Sequence, residues 1–142
     1  MGALVDVNVL VALLHARHIH CEKAVAWLAS QEQTAAIAIC RVAQMGALRI
    51  LTHPAVMKED VKTAAEFWRG WTSLMDDERF FQFAEPPGFE QTWRTVTTAL
   101  RRGHVAGTDA YLAAIAFAGK HRVVSFDRGM KRFAGVDAEI LV

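Results

Sequence analysis

Short unbroken apolar runs alternate along the chain with stretches in which apolar residues return every three or four positions. The first run, Ala3-Leu4-Val5-Asp6-Val7, reads as a buried strand, with Asn8 placed to cap the helix that follows. Ala24, Trp27 and Leu28 form a helical stripe after His20 that ends near Gln33, and Thr34 to Ile39 is a second apolar run. Val42, Met45, Leu48 and Leu51 again repeat at helical spacing, up to His53-Pro54. A longer helix is predicted from Lys58 to about Met75, striped by Val61, Ala64, Trp68, Trp71 and Leu74. Arg79 to Ala84 reads as a short strand, Phe89 to Arg102 as a helix, and Thr108 to Ala118 as an Ala-rich helix. Arg122 to Phe126 has the continuous apolar character of a buried parallel strand, and Ala138 to Val142 adds an edge strand. Strands alternating with helices predict βα units. The expected fold is α/β, a three-layer α/β/α domain around a central, mostly parallel sheet.

Only Pro86-Pro87-Gly88 breaks the pattern strongly, and it leaves too little chain on either side for two domains, so residues 1–142 are expected to form one. A hydrophobic content of 53% excludes disorder, and no apolar run is long enough to span a bilayer. Met1 to Leu14 is apolar but has Asp6 at its centre and no basic leader, so it is not expected to be a secretory signal. The two cysteines, Cys21 and Cys40, have no metal-type spacing, which suits a reduced, cytoplasmic protein with both thiols acting as small core hydrophobes. A net charge of +1 carries no bulk sign of a nucleic-acid partner.

Ligands of parallel sheets bind outside the carboxyl ends of the strands. That rule selects three of the fifteen acidic residues. Asp6 ends the first strand, Asp127 follows Val123-Val124-Ser125-Phe126, and Asp109 opens the Ala-rich helix. Each has apolar neighbours, where a carboxylate costs desolvation unless a cation compensates it. Each also suits plain helix capping. Carboxylates converging on a cleft call for a hard divalent cation such as Mg²⁺, and the matching chemistry is metal-assisted phosphodiester hydrolysis.

Four blocks carry a family resemblance: Leu-Val-Asp-Val-Asn-Val-Leu-Val-Ala-Leu at 4–13, Gly-Ala-Leu-Arg-Ile-Leu-Thr at 46–52, Thr-Asp-Ala-Tyr-Leu-Ala-Ala-Ile-Ala at 108–116 and Val-Val-Ser-Phe-Asp-Arg-Gly-Met at 123–130. In this order they resemble the PIN-domain ribonucleases, and within them the VapC toxins of VapBC toxin–antitoxin pairs. The resemblance implies a Mg²⁺- or Mn²⁺-dependent endoribonuclease that attacks structured RNA such as tRNA, forms a homodimer and is inhibited by a cognate VapB-like antitoxin. It implies that Asp6, Asp109 and Asp127 are metal ligands and catalytic residues. The family's remaining acid, usually a Glu, aligns with Gln44, in Val42-Ala43-Gln44-Met45-Gly46, which the resemblance makes the fourth catalytic candidate. An amide oxygen there can face a metal or its water, but it brings no charge and cannot act as a base.

Basic residues bracket these positions. Arg101 and Arg102 precede Asp109, Arg128, Lys131 and Arg132 follow Asp127, and Arg41 and Arg49 flank Gln44. Of these, Arg101, Arg102, Arg128 and Lys131 are the candidates for contacts with RNA phosphates, against the bland reading of solvated helix ends. His15, His18, His20 and Cys21 resemble a soft-metal cluster but fit no standard zinc spacing, and His20 reads more simply as a helix-start residue. Phe67, Trp68 and Trp71 read first as core and second as a surface for an antitoxin helix. Two alternatives compete with the nuclease. Gln44 motivates a catalytically silent PIN-like binding or regulatory module. An aspartyl phosphotransferase with Asp6 as nucleophile is disfavoured, because Asn8 stands where such enzymes carry a second Asp.

Overall fold

The computed structural model describes residues 2–142; Met1, where the apolar start begins, lies outside the described residues. Five strands, β1 (Ala3–Val5), β2 (Ile37–Ile39), β3 (Phe80–Gln82), β4 (Arg122–Ser125) and β5 (Ala138–Ile140), form one sheet in the order β3-β2-β1-β4-β5. Every neighbouring pair is parallel, so the sheet is wholly rather than mostly parallel. All residues of β1 and β2 are buried, as central strands must be when helices cover both faces. β5 is the expected edge strand.

The crossovers carry the helices. α1 (Val7–Leu14) and α2 (Cys21–Ala29) join β1 to β2, while α3 (Arg41–Leu51), α4 (Pro54–Met57) and α5 (Ala64–Met75) join β2 to β3. α6 (Phe89–Thr98) and α7 (Thr108–Ala118) lead back to β4. Because β2 lies on one side of β1 and β4 on the other, β1 and β4 flank the switch point at which such sheets bind ligands. α7 is apolar nearly all round and is sunk in the core from Leu112 to Ala116. Gly46 lets α3 lie close on α1, since a Cβ there would meet Val7 Cγ2 at 3.0 Å.

Several sequence expectations change. Asp6, not Asn8, caps α1: its backbone is extended and its Oδ1 accepts from Val7 N–H at 2.6 Å. The long helix expected from Lys58 is interrupted, and α5 begins afresh at a capping box. Thr63 Oγ1 accepts from Glu66 N–H while Glu66 Oε1 accepts from Thr63 N–H. Apolar spacing runs on through Val61, but two reciprocal caps at Thr63-x-x-Glu66 set the start. On α5, Phe67 and Trp71 are buried with stacked rings, whereas Trp68 is 44% exposed, so the aromatic stripe divides between core and surface. α6 stops at Thr98, and the arginines at 101 and 102 lie in the exposed connection beyond it. Of the thiols, Cys40 is buried and Cys21 only half-buried. Among the described residues, no helix is long and apolar enough to cross a membrane.

Candidate active site

Asp6, at the carboxyl end of β1, is buried, and its two oxygens have separate partners. Oδ1 takes the α1 amide, and Oδ2 accepts from the Ser125 hydroxyl at 2.6 Å. Ser125 belongs to the adjacent strand, β4, and is fully buried. Its oxygen also accepts from Asp127 N–H at 2.9 Å and from Asn8 Nδ2 at 3.2 Å. Asn8 Oδ1 in turn accepts from Phe126 N–H at 3.1 Å. One hydroxyl therefore ties the first carboxylate to the backbone that presents the third.

Asp127 leaves β4 with an extended backbone and caps the 3-10 turn at 128–132, its Oδ1 accepting from Gly129 N–H at 2.8 Å. A Cβ on residue 129 would lie 2.8 Å from Arg132 Nη1 and 3.0 Å from Asp127 Oδ1, so a side chain there would displace the Arg132 guanidinium. Asp109 sits in the first turn of α7, where its Oδ1 accepts from Ala110 N–H at 2.7 Å and its Oδ2 pairs with the Arg132 guanidinium. Arg132 also donates to Gly129 carbonyl oxygen at 2.6 Å and lies over the Phe133 ring.

Capping and convergence occur together. All three aspartates serve local backbone roles, and all three line one cavity of about 370 Å³, with Asn8, Thr108 and His18. Burial raises the pKa of Asp6 most, the hydrogen bonds from Ser125 and Val7 lower it, and the charges of Asp127 and Asp109 raise it further. The net effect is upward, as expected for a carboxyl group that must share a cleft with two others.

The remaining candidates fall elsewhere. Gln44 is buried outside the wall of this cavity, its Oε1 accepting from Arg41 Nη1 and from Gln82 Nε2 at 3.2 Å. Arg101, Arg102, Arg128 and Lys131 are exposed and line none of it. Arg132, grouped in the sequence only with the basic run after Asp127, is the arginine that reaches an acid of the cleft. Ser125 was not singled out at all, since a lone Ser at the end of an apolar strand carries no spacing signal. His15, His18 and His20 do not converge on one point. His15 faces Asp60 at 3.9 Å, His18 Nδ1 accepts from His20 N–H at 3.0 Å, and the His20 ring stacks on Phe126.

The donor set of the cavity is all oxygen apart from His18, which suits a hard divalent cation rather than a soft one. Among the described residues, no three or more His, Cys, Asp or Glu side chains are grouped closely enough to hold a metal ion. Asp109 has Arg132 as its cation instead, so a metal ion entering the cleft would share or take over that charge compensation.

The family model for the PIN domain matches residues 3–136. Ribonuclease VapC41 of Mycobacterium tuberculosis is 31% identical to the chain over 142 residues, covering 97% of each. Among solved structures, VapBC2 from Rickettsia felis, bound to a DNA fragment from the promoter of that pair, superposes with a TM-score of 0.71 at 16% identity, over 100% of both chains. VapC20 of Mycobacterium tuberculosis, described as a sarcin-ricin loop cleaving toxin, gives 0.67 at 13% identity and covers 96% of this chain and 99% of its own. At those identities the solved structures establish the fold.

Proposed function

The chain belongs to the PIN-domain family, and on that premise we propose that it is a VapC-like toxin, a divalent-metal-dependent endoribonuclease that hydrolyses phosphodiester bonds of structured RNA such as tRNA. The observation that carries this reading is the convergence of Asp6, Asp109 and Asp127 on one cavity at the β1/β4 switch point. In this reading residues 1–142 act as one PIN domain, as a homodimer in the cytoplasm, held inactive by a VapB-like antitoxin. The relation to VapC41 and to the VapBC2 structure supports the partner.

Asp6, Asp109 and Asp127 would hold Mg²⁺ or Mn²⁺, leaving coordination positions for water and phosphate oxygens. Bound there, the cation would lower the pKa of the attacking water and neutralise charge on the phosphate. The chain's own residues set the geometry. Ser125 holds Asp6 Oδ2 in one orientation, and its hydrogen bond keeps that buried carboxyl closer to its ionised form than burial alone would. Asn8 and Ser125 together fix the backbone on which Asp127 stands. Arg132 pairs with Asp109 at the edge of the cleft, and its guanidinium would be available to an RNA phosphate if a cation compensated Asp109 instead. Gln44 acts at one remove, fastening α3 to Gln82 at the end of β3.

Incubation of total tRNA with the protein in Mg²⁺ or in EDTA tests this reading. Cleavage in Mg²⁺ alone, abolished by Asp6→Asn, is expected. Cleavage indifferent to both would assign the activity to a contaminant and leave a silent binding module, the reading that Gln44 favours.

A further inference from the structure

The loop between α1 and α2 brings a histidine to the carboxylate cavity for which metal binding and capping give no use. His18 lines the same wall as Asp6, Asp109 and Asp127. It also lines a second cavity, of about 290 Å³, that holds His15, Arg17 and Asp60. Val11, His18 and Ile50 are common to both. His18 thus stands at the partition between an acidic cleft and an outer pocket.

Its position is set from several sides. His18 N–H donates to His15 carbonyl oxygen at 2.9 Å, and His18 carbonyl oxygen accepts from Cys21 N–H at 3.0 Å. The ring meets His15 edge-on and lies tilted against His20. The stack of His20 on Phe126, one residue before Asp127, ties the loop to the end of β4. Holding this half-buried ring so firmly has a consequence for its protons. Burial, then the neighbouring charges of His20 and His15, keep the His18 pKa below the usual imidazole value, so the ring is neutral near pH 7. Nδ1 is occupied as the acceptor for His20 N–H, which leaves the single ring proton on Nε2.

We propose that His18 is a substrate-contacting residue of this site, its Nε2–H donating a hydrogen bond to a non-bridging oxygen of an RNA phosphate held at the partition between the two cavities. The inference rests on the nuclease reading and deepens it. The contact supplies a neutral donor at the border of an acidic cleft, adding no charge to compete with a metal ion for the aspartates. Its effect falls on binding and alignment of the strand rather than on activation of water.

Two variants separate the contact from the turn. His18→Asn presents an Oδ1 that accepts from the His20 amide much as Nδ1 does, in an Asx-turn, while removing the distal donor. His18→Gln restores an N–H donor near the Nε2 position and gives up the turn acceptor. Filter binding of total tRNA in EDTA measures Kd, and cleavage in Mg²⁺ gives KM and kcat. For His18→Asn we expect a Tm within about 3 °C of wild type and a Kd and KM about tenfold higher, with a smaller change in kcat. For His18→Gln the Kd should return to within about threefold of wild type. Wild-type Kd and KM in His18→Asn would overturn the proposal, and cleavage by the wild-type protein would leave the nuclease reading standing. A wild type that binds tRNA without cutting it, with binding still weakened by His18→Asn, supports the contact and refutes the nuclease. No tRNA binding by the wild type removes both. Should His18→Asn fail to fold, the ring N–H signal of His18 in the wild type decides: it shifts when tRNA is added, and a signal that stays in place overturns the proposal.

Discussion

Ser125→Ala removes three hydrogen bonds through one atom. The hydroxyl, on a fully buried side chain, donates to Asp6 Oδ2 and accepts from Asp127 N–H and Asn8 Nδ2. A bond to a buried carboxylate contributes about 2 kcal/mol, and leaving the Asp127 amide unpaired costs about 1 kcal/mol more, so a loss near 3 kcal/mol is expected. For a chain of this length that corresponds to a fall in Tm of about 10 °C. The loss has a functional counterpart. The hydrogen bond from Ser125 holds the Asp6 pKa down against burial and the two neighbouring aspartates, so its removal drives that pKa further up. More of Asp6 is then protonated at a given pH, and Mg²⁺ binding, which requires the carboxylate, weakens and moves to higher pH. Urea unfolding with and without Mg²⁺, and calorimetric Mg²⁺ titration at pH 6 and 8, measure both effects. Ser125→Thr keeps the hydroxyl and should recover most of the metal affinity while losing some stability to its extra methyl group. An unchanged urea midpoint together with unchanged Mg²⁺ affinity in Ser125→Ala would refute the idea that this hydroxyl organises the site.

Asp6→Asn should abolish stabilisation by Mg²⁺; in the metal-free protein it removes a buried charge but keeps only one of the two oxygens that serve Val7 N–H and the Ser125 hydroxyl, so the effect on stability should depend on pH. Because the folded pKa of Asp6 lies above its unfolded value of 3.8, ionisation opposes folding as pH rises through that window. The stability of the variant relative to wild type should therefore fall toward pH 4, and a difference independent of pH argues against a strained carboxylate. Gln44→Glu adds a fourth acid whose oxygen would face Arg41 and Gln82, so its gain in Mg²⁺ affinity should be real but less than about tenfold; equal titration midpoints would exclude position 44 from the site. Reversing both Arg101 and Arg102 to Glu should weaken tRNA binding, flatten its dependence on salt and leave Mg²⁺ affinity intact, and an unchanged salt slope places RNA elsewhere.

Much of the fold is legible in the pattern of apolar positions. β1, β2 and α7 are buried segments of continuous apolar character, and α7 begins and ends where its sequence predicts, whereas α3 buries Ala43, Gln44, Ala47 and Leu51 and leaves Met45 of its expected stripe exposed. The errors lie where side-chain hydrogen bonds override periodicity. Apolar spacing runs through residues 58–75 as though one helix filled them, yet Thr63 and Glu66 close a capping box that starts α5 six residues later. The α1 cap falls to Asp6 because its carboxylate, at the end of β1, reaches the first free amide before Asn8 can. Trp68 shares its helix with buried aromatics, but an apolar stripe records which side faces inward and not how far around the helix the core extends.

The site divides in the same way. That Asp6, Asp109 and Asp127 are candidates is readable from their places at the ends of apolar segments, because a carboxylate at such a junction is costly without a partner. That they share one cavity depends on β1 lying beside β4, a pairing set by how the crossovers pack and not by any local spacing. The same pairing brings Ser125 to Asp6 across 119 positions of chain, and the turn after β4 carries Arg132 back to Asp109 across 23. Local chemistry along the chain thus determined which side chains are expensive to bury. Tertiary packing alone decided which of them compensate one another, since hydrogen bonds and ion pairs act over a few ångströms of space whatever their separation in sequence.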